Sequence, residues 1–201
     1  MSINFAALVR NNRSWLVLAV CFFLGGFFLS YTTFSQDPEM VKLLEESSLT
    51  MLQELGEEVF TVSPLQGLLI LFLHNMSSVI SIMFLGFLLG LPALFSALAN
   101  GAVLGLVAFQ LAESGTSPLP FLAAGILPHG IFELPAFFLS VALGLKLGYH
   151  LVFPFPDRSR GQTLRFILAE MGFSLPYLAG LLAAASAVEV LLTPHILTKF
   201  I

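Results

Sequence analysis

Along the chain, long uncharged apolar stretches alternate with short polar ones. Residues 1–14 are polar and carry Arg10 and Arg13, and charge then disappears from Trp15 to Phe34. About 20 residues rising ~1.5 Å each cross a ~30 Å hydrocarbon core, so this run predicts a spanning helix over 15–34. Its length, its bulky end at Tyr31 to Phe34 and the lack of a small-x-small cleavage site predict a retained anchor rather than a cleaved signal. From Pro64 to Ala112 there is no acid, Lys or Arg. That stretch is too long for one crossing and predicts a helical hairpin, 65–90 and 92–112, broken near Gly90 and Pro92 because proline lacks the N–H that continues a helix. A polar turn at 113–118 leads into a fourth apolar segment over 119–152. Pro128 and Pro135 interrupt that segment and predict bends or breaks. A polar loop with Asp157, Arg158, Arg160 and Arg165 precedes a fifth segment over 164–192.

The segment 35–63 is of another kind. It holds Asp37, Glu39, Glu45, Glu46, Glu54, Glu57 and Glu58 against the single base Lys42. Asp37 before Pro38 is a good helix start. Met40, Leu44, Met51, Leu55 and Val59 recur at helical spacing, which predicts an amphipathic helix at or above the membrane surface. Its acidity argues against docking on anionic lipid. Two readings stay open, a solvated helix packed on the helix ends and a surface over 37–62 that docks a partner protein.

Composition narrows the class. Of 201 residues, 57% are hydrophobic and 10% charged, against roughly 25% charged in a soluble domain. The mean hydropathy is +0.94. The expected fold is therefore all-α, a polytopic transmembrane bundle of about five spans in one domain, in contact with membrane lipid. A formal net charge of -4 argues against nucleic acid, which needs a basic footprint. The one cysteine, Cys21, excludes an internal disulfide and a multi-cysteine metal site. It lies in an apolar run and reads as a small hydrophobe, and Val20 before it spoils a lipobox.

Basic residues mark the cytoplasmic side. Five crossings from a cytoplasmic N-terminus put 35–63 and 113–118 outside, 154–165 inside and the C-terminus outside. Six of the eight Lys and Arg then fall inside or at the inner boundary. This predicts an inner or cytoplasmic cell membrane. Gly86 and Gly90, like Gly101 and Gly105, form Gly-xxx-Gly pairs. Such pairs predict close helix packing and offer faces on which a homodimer could form.

The candidate chemistry lies in the apolar segments, where polar side chains are costly and by default suggest function. His74, Asn75, Asn100, His129, Glu133 and Glu170 fall in the central and inner slabs by residue count, and Glu189 nearer the outer end of the fifth helix. His129 and Glu133 are spaced i, i+4 and share a face of a continuous helix. A break at Pro128 would instead expose free N–H groups and a positive dipole end. Three readings stay open: an interhelical hydrogen-bond cluster, a site for an ion, proton or solute, and a metal site. For the last, His74, His129 and Glu133 are the ligand types that suit zinc.

Residues 125–136 (GILPHGIFELPA), with 100–105 (NGAVLG) before them, resemble the stage II sporulation protein M family of multi-pass membrane proteins. The order of elements over roughly 64–193 fits as well. In endospore formers the namesake protein is required for engulfment, as a scaffold for hydrolases that remodel peptidoglycan. The resemblance implies a protein that organises envelope partners rather than an enzyme. By motif, His129 and Glu133 correspond to the family's His and Glu, and Pro128 and Pro135 to its flanking prolines; no catalytic role comes with that match. A non-enzymatic scaffold is thus expected first. A small transporter or channel around His129 and Glu133 is the alternative. An intramembrane metalloenzyme ranks below both, since no His-Glu-x-x-His helix is present.

Overall fold

The computed structural model describes residues 4–34, 59 and 61–197. Among these residues the chain is helical apart from short turns and loops, in the order α1 (Phe5–Asn11), α2 (Arg13–Phe34), α3 (Pro64–Phe84), a 3-10 turn (Leu85–Phe87), α4 (Leu91–Glu113), α5 (Pro118–Gly125), α6 (Leu127–Val152), α7 (Arg160–Leu191) and α8 (Thr193–Leu197). Five of these helices, with the 3-10 turn extending α3, are long and apolar enough to cross a membrane. The chain is thus an all-α, polytopic bundle. The amphipathic helix expected over 35–63, and with it most of the docking segment 37–62, falls outside the described residues.

Local sequence explains the helix ends. Pro64 occupies the first turn of α3, where its missing N–H is harmless. Gln66 Oε1 accepts from the Ser63 backbone N–H at 3.2 Å. At α7, Ser159 caps Gln162 while Gln162 Oε1 accepts from the Ser159 N–H at 2.9 Å, a reciprocal capping box. The hairpin between α3 and α4 turns at Leu89 and Gly90, both with positive φ (58° and 75°), and Pro92 follows in the first turn of α4.

The fourth apolar segment breaks at one of its two prolines and runs on through the other. It is two helices rather than one, parted at Ile126. The break falls beside Pro128, as expected: its missing N–H cannot continue α5, and it sits instead in the first turn of α6, where that loss is harmless. Pro135, expected to bend or break the helix, lies inside α6 without ending it. Every residue from Leu139 to Gly148 is buried. Nearly three turns buried on all faces make α6 the hub of the bundle. Packing on every side outweighs one missing hydrogen bond, which costs about 3 kcal/mol.

Small residues let the other helices close on each other. A Cβ on Gly26 would lie 2.1 Å from the Leu98 carbonyl oxygen, and one on Gly101 would lie 1.9 Å from that of Phe23. Ser30 Oγ donates across the same α2–α4 seam to the Ala102 carbonyl at 2.8 Å. Gly86 and Gly90 meet Gly144 and Gly148 of α6 in the same manner. Both expected glycine pairs are thus used inside the chain. Large apolar side chains such as Val17, Leu29, Leu65 and Phe95 face outward, as the lipid side of a bundle requires.

Candidate functional site

The polar residues in the helices form three groups at different levels. At the end of the bundle where α6 begins and α7 ends, His129, Glu133 and Glu189 each offer a ligand atom within 4.8 Å of the others. Pro128 starts α6 so that His129 sits in its first turn, and Glu133 follows one turn later on the same face. Glu189 comes from the last turn of α7. His129 Nε2 lies 4.0 Å from Glu189 Oε2, and its Nδ1 lies 3.5 Å from the Thr193 hydroxyl. That hydroxyl also reaches the Val188 carbonyl at 3.3 Å, and when it donates there its oxygen is left to accept from the ring in the tautomer with hydrogen on Nδ1.

Below this group lies a cavity of about 710 Å³ between α3, α4 and α6, lined among others by His74, Asn75, Ser78, Ser96, Asn100 and Glu133. Asn100 Nδ2 donates to the Ser96 carbonyl at 2.9 Å, and Ser77 Oγ to the His74 carbonyl at 2.9 Å. These residues stand near the middle of their helices, as the count along the sequence requires. Glu133 belongs both to this lining and to the cluster above it, and so joins the two.

Glu170 is elsewhere. Its Oε2 accepts a hydrogen bond from Lys146 Nζ. The same ammonium donates to Asn12 Oδ1 at 2.9 Å, while Asn12 Nδ2 donates to the Leu8 carbonyl at 2.8 Å. Lys146 Nζ also stands 5.5 Å from the Phe166 ring centre. Lys146 is 3% exposed, and Asn12 and Glu170 are fully buried. Thirteen residues of α6 separate Glu133 from Lys146, roughly 20 Å along the axis. The six polar residues picked from the sequence therefore do not share one site. His74, Asn75, Asn100 and Glu133 line one cavity, His129 sits above it with Glu133, and Glu170 closes an ion pair near the opposite end. The group that gathers metal-ligand types contains Glu189 where His74 was expected.

The sequence pattern that defines the stage II sporulation protein M family matches residues 16–194. The chain belongs to this family. An uncharacterized protein of Methanocaldococcus jannaschii is similar to it, 31% identical over 128 residues, which is 63% of this chain and 71% of that protein. No solved structure matches. The stage II sporulation protein M match takes in all three polar groups apart from Asn12.

Glu189, Lys146 and Asn12 were not among the candidates drawn from sequence, although a signal for two of them was there. Helices α6 and α7 form an antiparallel hairpin, so residues equidistant from its loop meet. Lys146 and Glu170 stand 12 residues either side of Arg158, and His129 and Glu189 stand 30 residues either side of Ser159. Asn12 comes from a distant part of the chain and has no such signal.

Proposed function

We propose that this member of the stage II sporulation protein M family is a non-enzymatic scaffold of the inner cell membrane that organises envelope or cell-wall-remodelling partners, with its N-terminus cytoplasmic. The observation that carries this reading is where the acidic stretch is tied. Residues 35–63 hold seven acids against one lysine, and the chain enters them from the end of α2 and leaves them at the start of α3. Two antiparallel spans place both attachment points at one end of a frame locked by glycine contacts. Under the orientation set by the arginines, that end is extracytoplasmic, where wall-remodelling partners act. The test is removal of 37–62 in the native host, with membrane level and helicity checked. The expected outcome is the envelope defect of a full gene deletion from a chain that still folds. A normal envelope would sink the reading.

The cavity favours a second reading, a small transporter or channel. A polar-lined space of about 710 Å³ at membrane depth is where solute sites of discontinuous-helix transporters lie. Here purified protein in vesicles would carry solute flux that Glu133→Gln or His129→Ala abolishes, and removal of 37–62 would leave that flux intact.

A further inference from the structure

We propose that His129, Glu133 and Glu189 form a binding site for a divalent transition-metal ion of the zinc type. The site stands apart from the scaffold reading, because it uses none of the acidic 35–63 segment. The far ends of the α6–α7 hairpin bring one imidazole and two carboxylates together, with one ligand atom from each all within 4.8 Å of one another. Zinc takes this mixture of nitrogen and oxygen donors at ~2.0–2.2 Å, and three protein ligands with a fourth open position is its usual arrangement outside purely structural sites. The donors need to move inward by only about an ångström to reach such an ion.

The imidazole is already set for the task. Thr193 gives its hydroxyl proton to Val188 and turns its oxygen toward His129 Nδ1. That contact favours the tautomer with hydrogen on Nδ1 and leaves the Nε2 lone pair facing Glu189. Nε2 and Glu189 Oε2 lie 4.0 Å apart, too far for a hydrogen bond and close to the span of an ion between them. The charge balance points the same way. Among the described residues no Lys or Arg forms an ion pair with Glu133 or Glu189. Two carboxylates this close at the membrane edge repel unless a cation or protons stand between them. The lone His-Glu i, i+4 spacing supplies only two donors; Glu189 makes the set.

The test is a zinc titration of the full chain in detergent after chelator treatment, with bound metal counted by elemental analysis. Wild type, His129→Ala, Glu189→Gln and His74→Ala are compared, each checked for helicity and a single size. The expected result is about one zinc per chain in wild type and His74→Ala, and none retained by His129→Ala or Glu189→Gln. Thr193→Val should weaken binding by about 10–100-fold, the usual effect of removing an outer partner of a metal-bound histidine. Wild type without zinc, or the same zinc in all variants, would overturn the proposal. Loss in His74→Ala as well would overturn this ligand set in favour of one reaching into the cavity. If the His129 and Glu189 variants do not fold, cobalt in wild type decides: strong visible bands of a four- or five-coordinate ion support the site, and the pale spectrum of the hydrated ion rejects it. Zinc binding that survives removal of 37–62 would separate this outcome from that of the scaffold test.

Discussion

Lys146 lies in the most buried stretch of the most buried helix, yet its ammonium is satisfied by Glu170, by Asn12 and by the Phe166 ring. Removing one partner of such a pair strands the other charge, at a cost of about 3–5 kcal/mol. Lys146→Met and Glu170→Leu should each lower the unfolding free energy in mixed micelles by that order. The double variant should recover most of the loss, because well-packed apolar residues replace a buried pair at little or no cost. A double variant as unstable as the sum of the singles would show that the pair does not act as a unit. At this scale the sequence was partly legible. Membrane depth marked His129, Glu133 and Glu170 as costly residues, since charge in an apolar run is visible without a structure. Their partners were not visible in the same way. Glu189 and Lys146 sit near helix ends, where ionisable side chains ordinarily reach water and attract no suspicion.

Among the helices, contact is set by backbone approach. The Cβ of an alanine at Gly101 would sit 1.9 Å from the Phe23 carbonyl oxygen, so α2 and α4 must part to admit it. Gly101→Ala should therefore cost about 3 kcal/mol or more, at or above the top of the range for overpacked sites. Gly172→Ala, with no atom within 4 Å of its Cβ, should change stability by less than about 1 kcal/mol in either direction. Thermal unfolding of both in one detergent checks the contrast, and equal losses would mean that the α2–α4 seam yields easily. The glycine pairs were readable as close-packing sites, because small residues, glycine above all, let two helix backbones approach in lipid. Which helix each pair would meet was not readable, because that depends on how the four other spans are arranged around α6. For the same reason Pro135 misled: a proline's local cost can be read from sequence, and the burial that overrides it cannot.

For the whole molecule, the two basic clusters and the count of five spans predict one orientation across the membrane. On a Cys21→Ser background, Thr116→Cys should react with a membrane-impermeant maleimide added to intact cells, and Asp157→Cys should react only after the membrane is opened. Both positions are exposed in the bundle. The reverse pattern would invert the orientation and place the acidic 35–63 segment in the cytoplasm, away from wall-remodelling partners. The five spans themselves were legible, since hydrocarbon thickness dictates the length of apolar runs. The break between α5 and α6 was legible only through Pro128, because the apolar pattern itself runs through Ile126 without a change.

The Lys146–Glu170 pair also bears on how the chain is made. Synthesis delivers α6 before α7, so for a time the lysine stands in the membrane without its carboxylate. It lies within two turns of the end of α6, close enough for its long side chain to reach toward headgroups while it waits. When α7 enters, the ammonium is drawn inward and the two helices lock as a unit, with His129 and Glu189 meeting at the far end. A chain cut short within α7 keeps an unanswered positive charge at a helix that has lost its cover. Completion of the last hairpin thus removes an unanswered charge from the membrane.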